Sequence, residues 1–231
     1  WAPVRIEETG AVRIDRLRVL CRDANDARAH LRIHARLDSD TTRTITLRTT
    51  VGVQSSGKTV HIEHSRSLAG GMNEVDWNID VNDPDLWWPW SLGPQPLTDV
   101  TVEVLTERDT AQESTVSDKR TVRTGLRETA TQDWVISVNG ERLFSKGANL
   151  QPTRAALAEA TPAEVRRDIE FARDAGLDLV RVQGHIGRPE LYDSADELGM
   201  LVWQDFPLQW SYARTVRKQA VRQAREAVDA L

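Results

Sequence analysis

The sequence predicts a chain in two parts, a β-sandwich followed by a parallel α/β part, and three observations support this prediction. From Val4 to about Thr124 the apolar residues recur with a period of two, which is typical of strands that bury one face. After Thr124 apolar residues recur at helical spacing, and each such segment leads into a short apolar run. Polar residues stand where those runs end. We therefore expect domains over residues 1–124 and 125–231.

The first part has the pattern of an immunoglobulin-like β-sandwich. Turn signals separate seven or eight alternating runs over ~120 residues. In the run 30–37 the apolar residues on one face are Leu31, Ile33, Ala35 and Leu37, and His and Arg occupy the other. This polar face does not predict a metal site, because His30 and His34 would lie ~13 Å apart on a strand with Arg32 between them.

The second part alternates helices with strands. Thr161 and Glu164 form a capping box around Pro162, which predicts a helix start, and Gly176 predicts its end. The predicted order is a hairpin with arms at 134–138 and 143–149, a helix at 161–176, a strand at 177–183, a helix at 189–199, a strand at 200–205 and a helix at 213–231.

This order favours a partial (β/α)8 TIM barrel of about three βα units over a doubly wound sheet. No GxGxxG or GxxxxGK[ST] phosphate motif follows a strand, which argues against the doubly wound sheet. We also predict no cofactor. Polar residues instead follow the strands, at Asn149, Gln183, His185 and Asp205. A whole barrel needs ~250 residues, so the chain is expected to stop within the barrel.

Composition narrows the choice of partners. The net charge is −5, which does not favour a nucleic acid or an anionic membrane. The single cysteine, Cys21, excludes a disulfide framework and a thiolate metal cluster. No segment has the ~20 apolar residues of a membrane span. We expect a cytoplasmic protein, with secretion left open because the chain begins at Trp1 and not at a methionine.

Three motifs together resemble those of glycoside hydrolase family 2, and most of all its β-mannosidase-like branch. They are LWWPWSLGPQPLTDVTVEV, NGERLFSKGANLQP and ELYDSADELGMLVWQDF. The resemblance implies a retaining exo-β-glycosidase that hydrolyses terminal β-linked sugars in glycosides or oligosaccharides. Retention requires two glutamates ~5–5.5 Å apart. The family carries them after its fourth and seventh barrel strands, so this chain should lack both and should be inactive alone.

The resemblance also implies a set of supporting and substrate-binding residues. Arg181 matches the family arginine that holds the nucleophile carboxylate, although a salt bridge to a local Asp or Glu stays open. Asp205 is expected to bind a sugar hydroxyl or to brace the rim, and Asn149 to line the site or cap a loop. Trp203 is expected in the core, and Trp210 on a sugar. The complete predicted set is Arg181, Asn149, His185, Asp205, Gln183 and Trp210.

Two interpretations remain open for the aromatic segment 83–97, which contains Trp87, Trp88 and Trp90. It is either a plug that docks the sandwich on its neighbour or a wall of a sugar site. The function has alternatives too. They are another family 2 glycosidase, of the β-galactosidase, β-glucuronidase or exo-glucosaminidase type, and a non-catalytic carbohydrate-binding or interaction module. A truncated barrel would also leave open strand edges, so we expect self-association.

Overall fold

The computed structural model describes residues 4, 6–52, 57, 59–108, 111–208 and 212–230. The chain forms two compact units. One consists of Pro3–Leu86 and Pro96–Thr129, and the other includes Trp87–Gln95 and Ala130–Leu231. The domain boundary after Thr124 stays a prediction.

The first unit is an antiparallel β-sandwich. Its strands are β1 (Val12–Ala24), β2 (Arg28–Ser39), β3 (Arg43–Gly52), β4 (Thr59–Leu68), β5 (Gly71–Asn82), β6 (Thr98–Arg108) and β7 (Ala111–Thr124). One sheet has the order β1-β2-β5 and the other β4-β3-β6-β7. The strands are 10 to 14 residues long. Pairing is continuous between β2 and β5, which are bonded without a break along their full length.

The apolar residues that alternate along the strands form the core of this sandwich. The predicted inward residues of β2, Leu31, Ile33, Ala35 and Leu37, are fully buried. So are Ala29 on the same strand and Val100, Val102 and Val104 on β6. Trp77 on β5 is also buried, and its indole N–H donates a hydrogen bond to Thr49 Oγ1 at 3.0 Å. The buried hydroxyl and the buried indole thereby satisfy each other.

The outer face of β2 and β5 carries contacts between histidine and carboxylate side chains across the two strands. His30 Nδ1 lies 2.6 Å from Asp80 Oδ1. His34 lies between two carboxylates, 2.8 Å from Glu74 Oε2 and 3.2 Å from Asp76 Oδ2. Among the described residues, no group of three or more His, Cys, Asp and Glu side chains is arranged to hold a metal ion. The histidines therefore belong to a charged, solvated face.

A small antiparallel meander opens the α/β part. It consists of β8 (Thr129–Gln132), β9 (Val135–Val138) and β10 (Glu141–Leu143). Asn139 and Gly140 form the predicted turn with φ of 50° and 83°. The predicted second arm at 143–149 is wrong, because the next strand begins at Gly147 in another sheet. A Cβ at Gly147 would lie 2.9 Å from Leu179 O, so the glycine permits this close parallel pairing.

The second sheet is parallel and has the order β11-β12-β13. Its strands are β11 (Gly147–Leu150), β12 (Leu179–Val182) and β13 (Leu201–Gln204), each shorter than predicted. The helices are α1 (Pro162–Asp174), α2 (Pro189–Leu198) and α3 (Arg217–Ala230), with 3-10 helices at Leu157–Glu159 and Arg214–Val216. β11 and β13 are the edge strands of this sheet, and self-association through them stays a prediction.

Local signals define the ends of the first two helices. Glu164 N donates to Thr161 Oγ1 at 3.3 Å, and Thr161 N donates to Glu164 Oε2 at 2.9 Å, which is the predicted capping box. Gly176 and Gly199 follow α1 and α2 with φ of 79° and 74°. Both glycines therefore adopt the left-handed conformation expected after a helix.

The two helices pack on one face of the parallel sheet. The buried apolar residues of this cluster are Ala160, Val165, Ile169, Val180, Val182, Leu191, Ala195, Leu198 and Met200. Side chains alternate along a strand, so Arg181, between Val180 and Val182, lies on the face of the sheet opposite the helices. Within the described ranges, every helix falls short of the length and hydrophobicity that a membrane span requires.

The aromatic segment Trp87–Gln95 packs within this second unit. Trp87 is fully buried and its Nε1–H donates to Asp196 O at 2.7 Å. Trp90 Nε1–H donates to Leu177 O, also at 2.7 Å. Leu177 precedes β12, so Trp90 lies at the amino end of the strands. This position supports a packing role and not a wall of a site at the carboxyl ends.

A buried carboxylate completes the same region. Asp178 is 1% exposed and accepts a hydrogen bond from Ser91 Oγ at 2.6 Å. Lys146 Nζ lies 3.3 Å from its other oxygen and compensates its charge. Asp178 therefore joins the aromatic segment to the strands β11 and β12 at their amino ends.

We expect Trp87→Phe to lower the free energy of unfolding of the second unit by about 2–3 kcal/mol. The substitution leaves a cavity and removes the donor to the Asp196 carbonyl. Urea unfolding followed by circular dichroism measures the change. Trp134→Phe is the matched control, since Trp134 is 95% exposed and should change stability little. Equal effects of the two substitutions would contradict the packing role of Trp87.

Candidate functional site

The carboxyl ends of β11, β12 and β13 bring three side chains to one level. The parallel register pairs Asn149 with Arg181, and Arg181 with Trp203. Because Val180 and Val182 are buried against the helices, these three side chains lie on the opposite, exposed face. Arg181 therefore points away from the helices.

Trp203 does not lie in the core, so that prediction is wrong. The residue is 54% exposed. Its neighbour Val202 packs against the helix cluster, and alternation along β13 then turns Trp203 to the exposed face. An aromatic surface thus accompanies Asn149 and Arg181 at this level.

Arg181 and Asp205 form a multiple-contact ion pair across the carboxyl ends of β12 and β13. Arg181 Nε lies 3.1 Å from both carboxylate oxygens of Asp205, and Nη2 lies 2.8 Å from Oδ2. The hydrogen bonds that Arg181 donates to Asp205 raise the pKa of Arg181, and the negative charge of Asp205 adds to this effect. Of the two partners left open by the sequence, the local acid is the one that Arg181 contacts in this chain.

Two further predicted residues, Gln183 and His185, lie in the loop that follows β12. Gln183 Oε1 accepts a hydrogen bond from Gln151 Nε2 at 3.1 Å. His185 is half-buried, and its Nδ1 lies 3.1 Å from Gln183 O, so its ring is turned toward its own loop. The Asn149 side chain is exposed and hydrogen-bonds no other described residue, so no such contact supports a loop-capping role. Trp210 lies outside the described residues.

Gln204 and Tyr192 connect these loops and were missed by the sequence analysis. Gln204 Nε2 donates to His185 O at 2.6 Å and to Asp205 O at 2.5 Å. Tyr192 OH donates to Gln204 Oε1 at 2.6 Å and accepts from Gly187 N at 3.0 Å. Burial raises the pKa of Tyr192. The sequence pattern gives no sign of this contact, because Tyr192 lies on α2 and Gln204 on β13, and the two meet only once the chain is folded.

Comparison with known proteins assigns the family. The model described as glycosyl hydrolases family 2 matches residues 12–127 of the 231-residue chain. The chain belongs to glycosyl hydrolases family 2. The resemblance drawn from the three sequence motifs is thereby confirmed.

The relatives that match this chain include glycosidases named for different sugars. The chain is 32% identical over 175 residues to the exo-beta-D-glucosaminidase of Streptomyces avermitilis. The matched region covers 74% of this chain and 19% of that protein. It is 29% identical over 222 residues to beta-mannosidase B of Emericella nidulans, which covers 89% of this chain and 26% of that protein. The chain thus spans between about a fifth and about a quarter of the length of these relatives.

The fold is also that of solved family 2 structures. The crystal structure of a beta-D-mannosidase from Dictyoglomus thermophilum matches with a TM-score of 0.83 and 21% identity, over 96% of this chain and 28% of that one. A putative beta-galactosidase from Bacteroides fragilis matches with a TM-score of 0.80 and 19% identity, over 96% and 33%. At these identities the likeness concerns the fold alone.

The family 2 chain therefore presents a polar and aromatic surface at the ends of three parallel strands. Asn149 offers an amide, Arg181 a cation and Trp203 a ring, and a binding surface for a polar ring such as a sugar needs groups of these kinds. Asp205, the carboxylate that directly follows β13, is engaged by Arg181. The surface is suited to binding and orienting a ligand.

The loop after β11 is held to α1 by a second arginine–carboxylate contact. Arg154 Nε and Nη2 donate to Glu164 Oε1 at 3.1 and 2.5 Å. Together with the hydrogen bonds from Thr161, this contact lowers the pKa of Glu164 to about 2. The hydrogen bond from Arg154 is the largest cause.

We expect Arg154→Met to raise the pKa of Glu164 from about 2 toward its ordinary value of 4.5. Because the folded state favours the charged form, Glu164 stabilises the fold above pH 4.5, and this contribution is lost as the pH falls toward 2. Titration of the Glu164 carboxyl by NMR measures the shift. Arg167→Met is the matched control, since the Arg167 guanidinium lies over Phe171 and not at Glu164. An unchanged Glu164 titration in Arg154→Met would show that the arginine is not the cause.

Proposed function

We propose that this chain is part of a retaining exo-β-glycosidase that removes terminal β-linked sugars, with β-mannosides as the preferred substrates. The observation that carries the proposal is the group Asn149, Arg181 and Trp203 at the carboxyl ends of a parallel sheet, in a chain of glycosyl hydrolases family 2. The matches to beta-mannosidases support the choice of sugar.

The architecture that we propose for the whole enzyme is an immunoglobulin-like sandwich followed by a (β/α)8 barrel. The parallel strands β11, β12 and β13, with α1 and α2 on one face, would be its first three strands. The exposed face with Arg181 would then line the barrel interior at its carboxyl end, where such barrels carry out their chemistry. The short coverage of the relatives supports a longer enzyme.

The catalytic glutamates would come from later strands. A retaining pair needs two carboxyl groups ~5–5.5 Å apart, one as nucleophile and one as acid and base. Asp205 is held by Arg181 in this chain, and we assign it neither role. Arg181 would contact the nucleophile, while Asn149 and Trp203 would orient the sugar. The 231-residue chain by itself should therefore hydrolyse nothing.

The charge of the surface supports a neutral sugar. Asp205 offsets the charge of Arg181, and the remaining Nη1 edge of Arg181 is the one that would meet the nucleophile. Among the described residues at this level, no charged group is then left over for the carboxylate of a glucuronide or the amine of a glucosaminide. The second candidate is an exo-β-glucosaminidase, because of the 32% identity to that enzyme.

We expect the full-length enzyme to hydrolyse nitrophenyl β-mannoside with a kcat/KM at least ~10-fold above that for the β-galactoside, β-glucuronide and β-glucosaminide. The released sugar should be the β anomer by NMR, since retention passes through two inversions. The 231-residue chain serves as the inactive control.

Two other outcomes of this experiment would change the proposal. Preference for the glucosaminide would select the second candidate. Saturable binding of β-glycosides without any hydrolysis would overturn the enzymatic proposal in favour of a carbohydrate-binding module.

A further inference from the structure

We propose that Asp205 is a positioning residue that holds the Arg181 guanidinium so that its Nη1 edge faces the reacting groups. This inference rests on the proposed function, in which the anionic partner of Arg181 is the nucleophile carboxylate. Asp205 thereby acts through Arg181 and does not itself bind the sugar.

The contacts leave one edge of the guanidinium available. Asp205 accepts hydrogen bonds from Nε and from Nη2 of Arg181, at 2.8 to 3.1 Å. A guanidinium is planar and rigid, so contacts at these two nitrogens fix both its plane and its rotation. Within the described part of the chain, no hydrogen bond reaches Nη1. The remaining donors therefore point in a defined direction.

Asp205 is itself held from two sides. Its backbone N–H donates to Val182 O at 3.2 Å, which ties it to β12. Its carbonyl accepts from Gln204 Nε2 at 2.5 Å, and Gln204 is in turn held by Tyr192 OH at 2.6 Å. A group that must be placed within a fraction of an ångström requires support of this kind.

Exposure favours Arg181 over Asp205 as the group that meets the substrate or the nucleophile. The Asp205 side chain is 20% exposed and the Arg181 side chain 44%. Both oxygens of Asp205 also accept from Arg181. A sugar hydroxyl would have to compete with a charged donor for these oxygens, whereas Nη1 of Arg181 can bind an anion without losing a contact.

Loss of the support that Asp205 gives to Arg181 affects the catalytic rate more than substrate binding. An arginine close to a carboxylate favours the ionised form, which is the form that attacks. If Arg181 loses its support, the sugar still binds to the other groups of the site, but the nucleophile is less well oriented. Loss of Asp205 should therefore lower kcat and leave KM nearly unchanged.

The test is a double-mutant cycle in the full-length enzyme, with nitrophenyl β-mannoside as the probe. Asp205→Asn and Arg181→Lys should each lower kcat by roughly 10²-fold, with KM changed less than ~3-fold. The double variant should be no slower than Arg181→Lys alone, because the two residues act as one unit. Asp205→Glu keeps the charge and should restore part of the rate.

The control is an arginine–aspartate pair away from the strand ends. Asp174 on α1 accepts from Arg173 Nη2 at 3.1 Å, and both side chains are at the surface. Asp174→Asn should leave kcat and KM unchanged. Melting followed by circular dichroism shows whether each variant folds, and Asp205→Glu carries the test if Asp205→Asn does not fold.

The outcomes separate this inference from the proposed function. Activity of the parent enzyme together with an unaffected Asp205→Asn variant overturns the positioning role alone. A raised KM in Asp205→Asn, with losses that multiply in the double variant, shows that Asp205 binds the sugar directly and also overturns it. A parent enzyme without activity on any β-glycoside overturns both.

Discussion

The parallel register of β11, β12 and β13 is the constraint on which the candidate site depends. Burial of Val180 and Val182 against α1 and α2 forces Arg181 to the other face, because side chains alternate along a strand. A slip of one residue would bury the guanidinium and expose the valines. The apolar contacts of two helices thus hold a charged group in its place.

The two ends of this sheet are stabilised in different ways. At the amino ends, buried groups stabilise the sheet through hydrogen bonds. Trp87 and Trp90 donate to backbone carbonyls, and Asp178 accepts from Ser91. At the carboxyl ends the polar side chains bind one another and remain partly exposed, as Arg181 does. The buried stabilising contacts and the proposed ligand-binding surface therefore lie at opposite ends of the same strands.

Local signals made several elements predictable. The start of α1 depends on Thr161 and Glu164, and the turn at Asn139 depends on neighbouring residues alone, so both could be read directly. The second hairpin arm and the burial of Trp203 were mispredicted, since both depend on which strands pair. Gln204 gave no signal, because its partners belong to a loop whose path the sequence pattern does not specify.

The sequence by itself determined the two-part organisation, the capped helices, the alternation of helices with strands and the family resemblance, because periodicity, capping and motifs act over a few residues. Only the tertiary structure decided which anion Arg181 contacts. Arg181 and Asp205 are 24 residues apart, and they meet because β12 and β13 are adjacent and in register. Partner choice at that distance follows from strand pairing, which depends on the packing of the whole sheet against its helices.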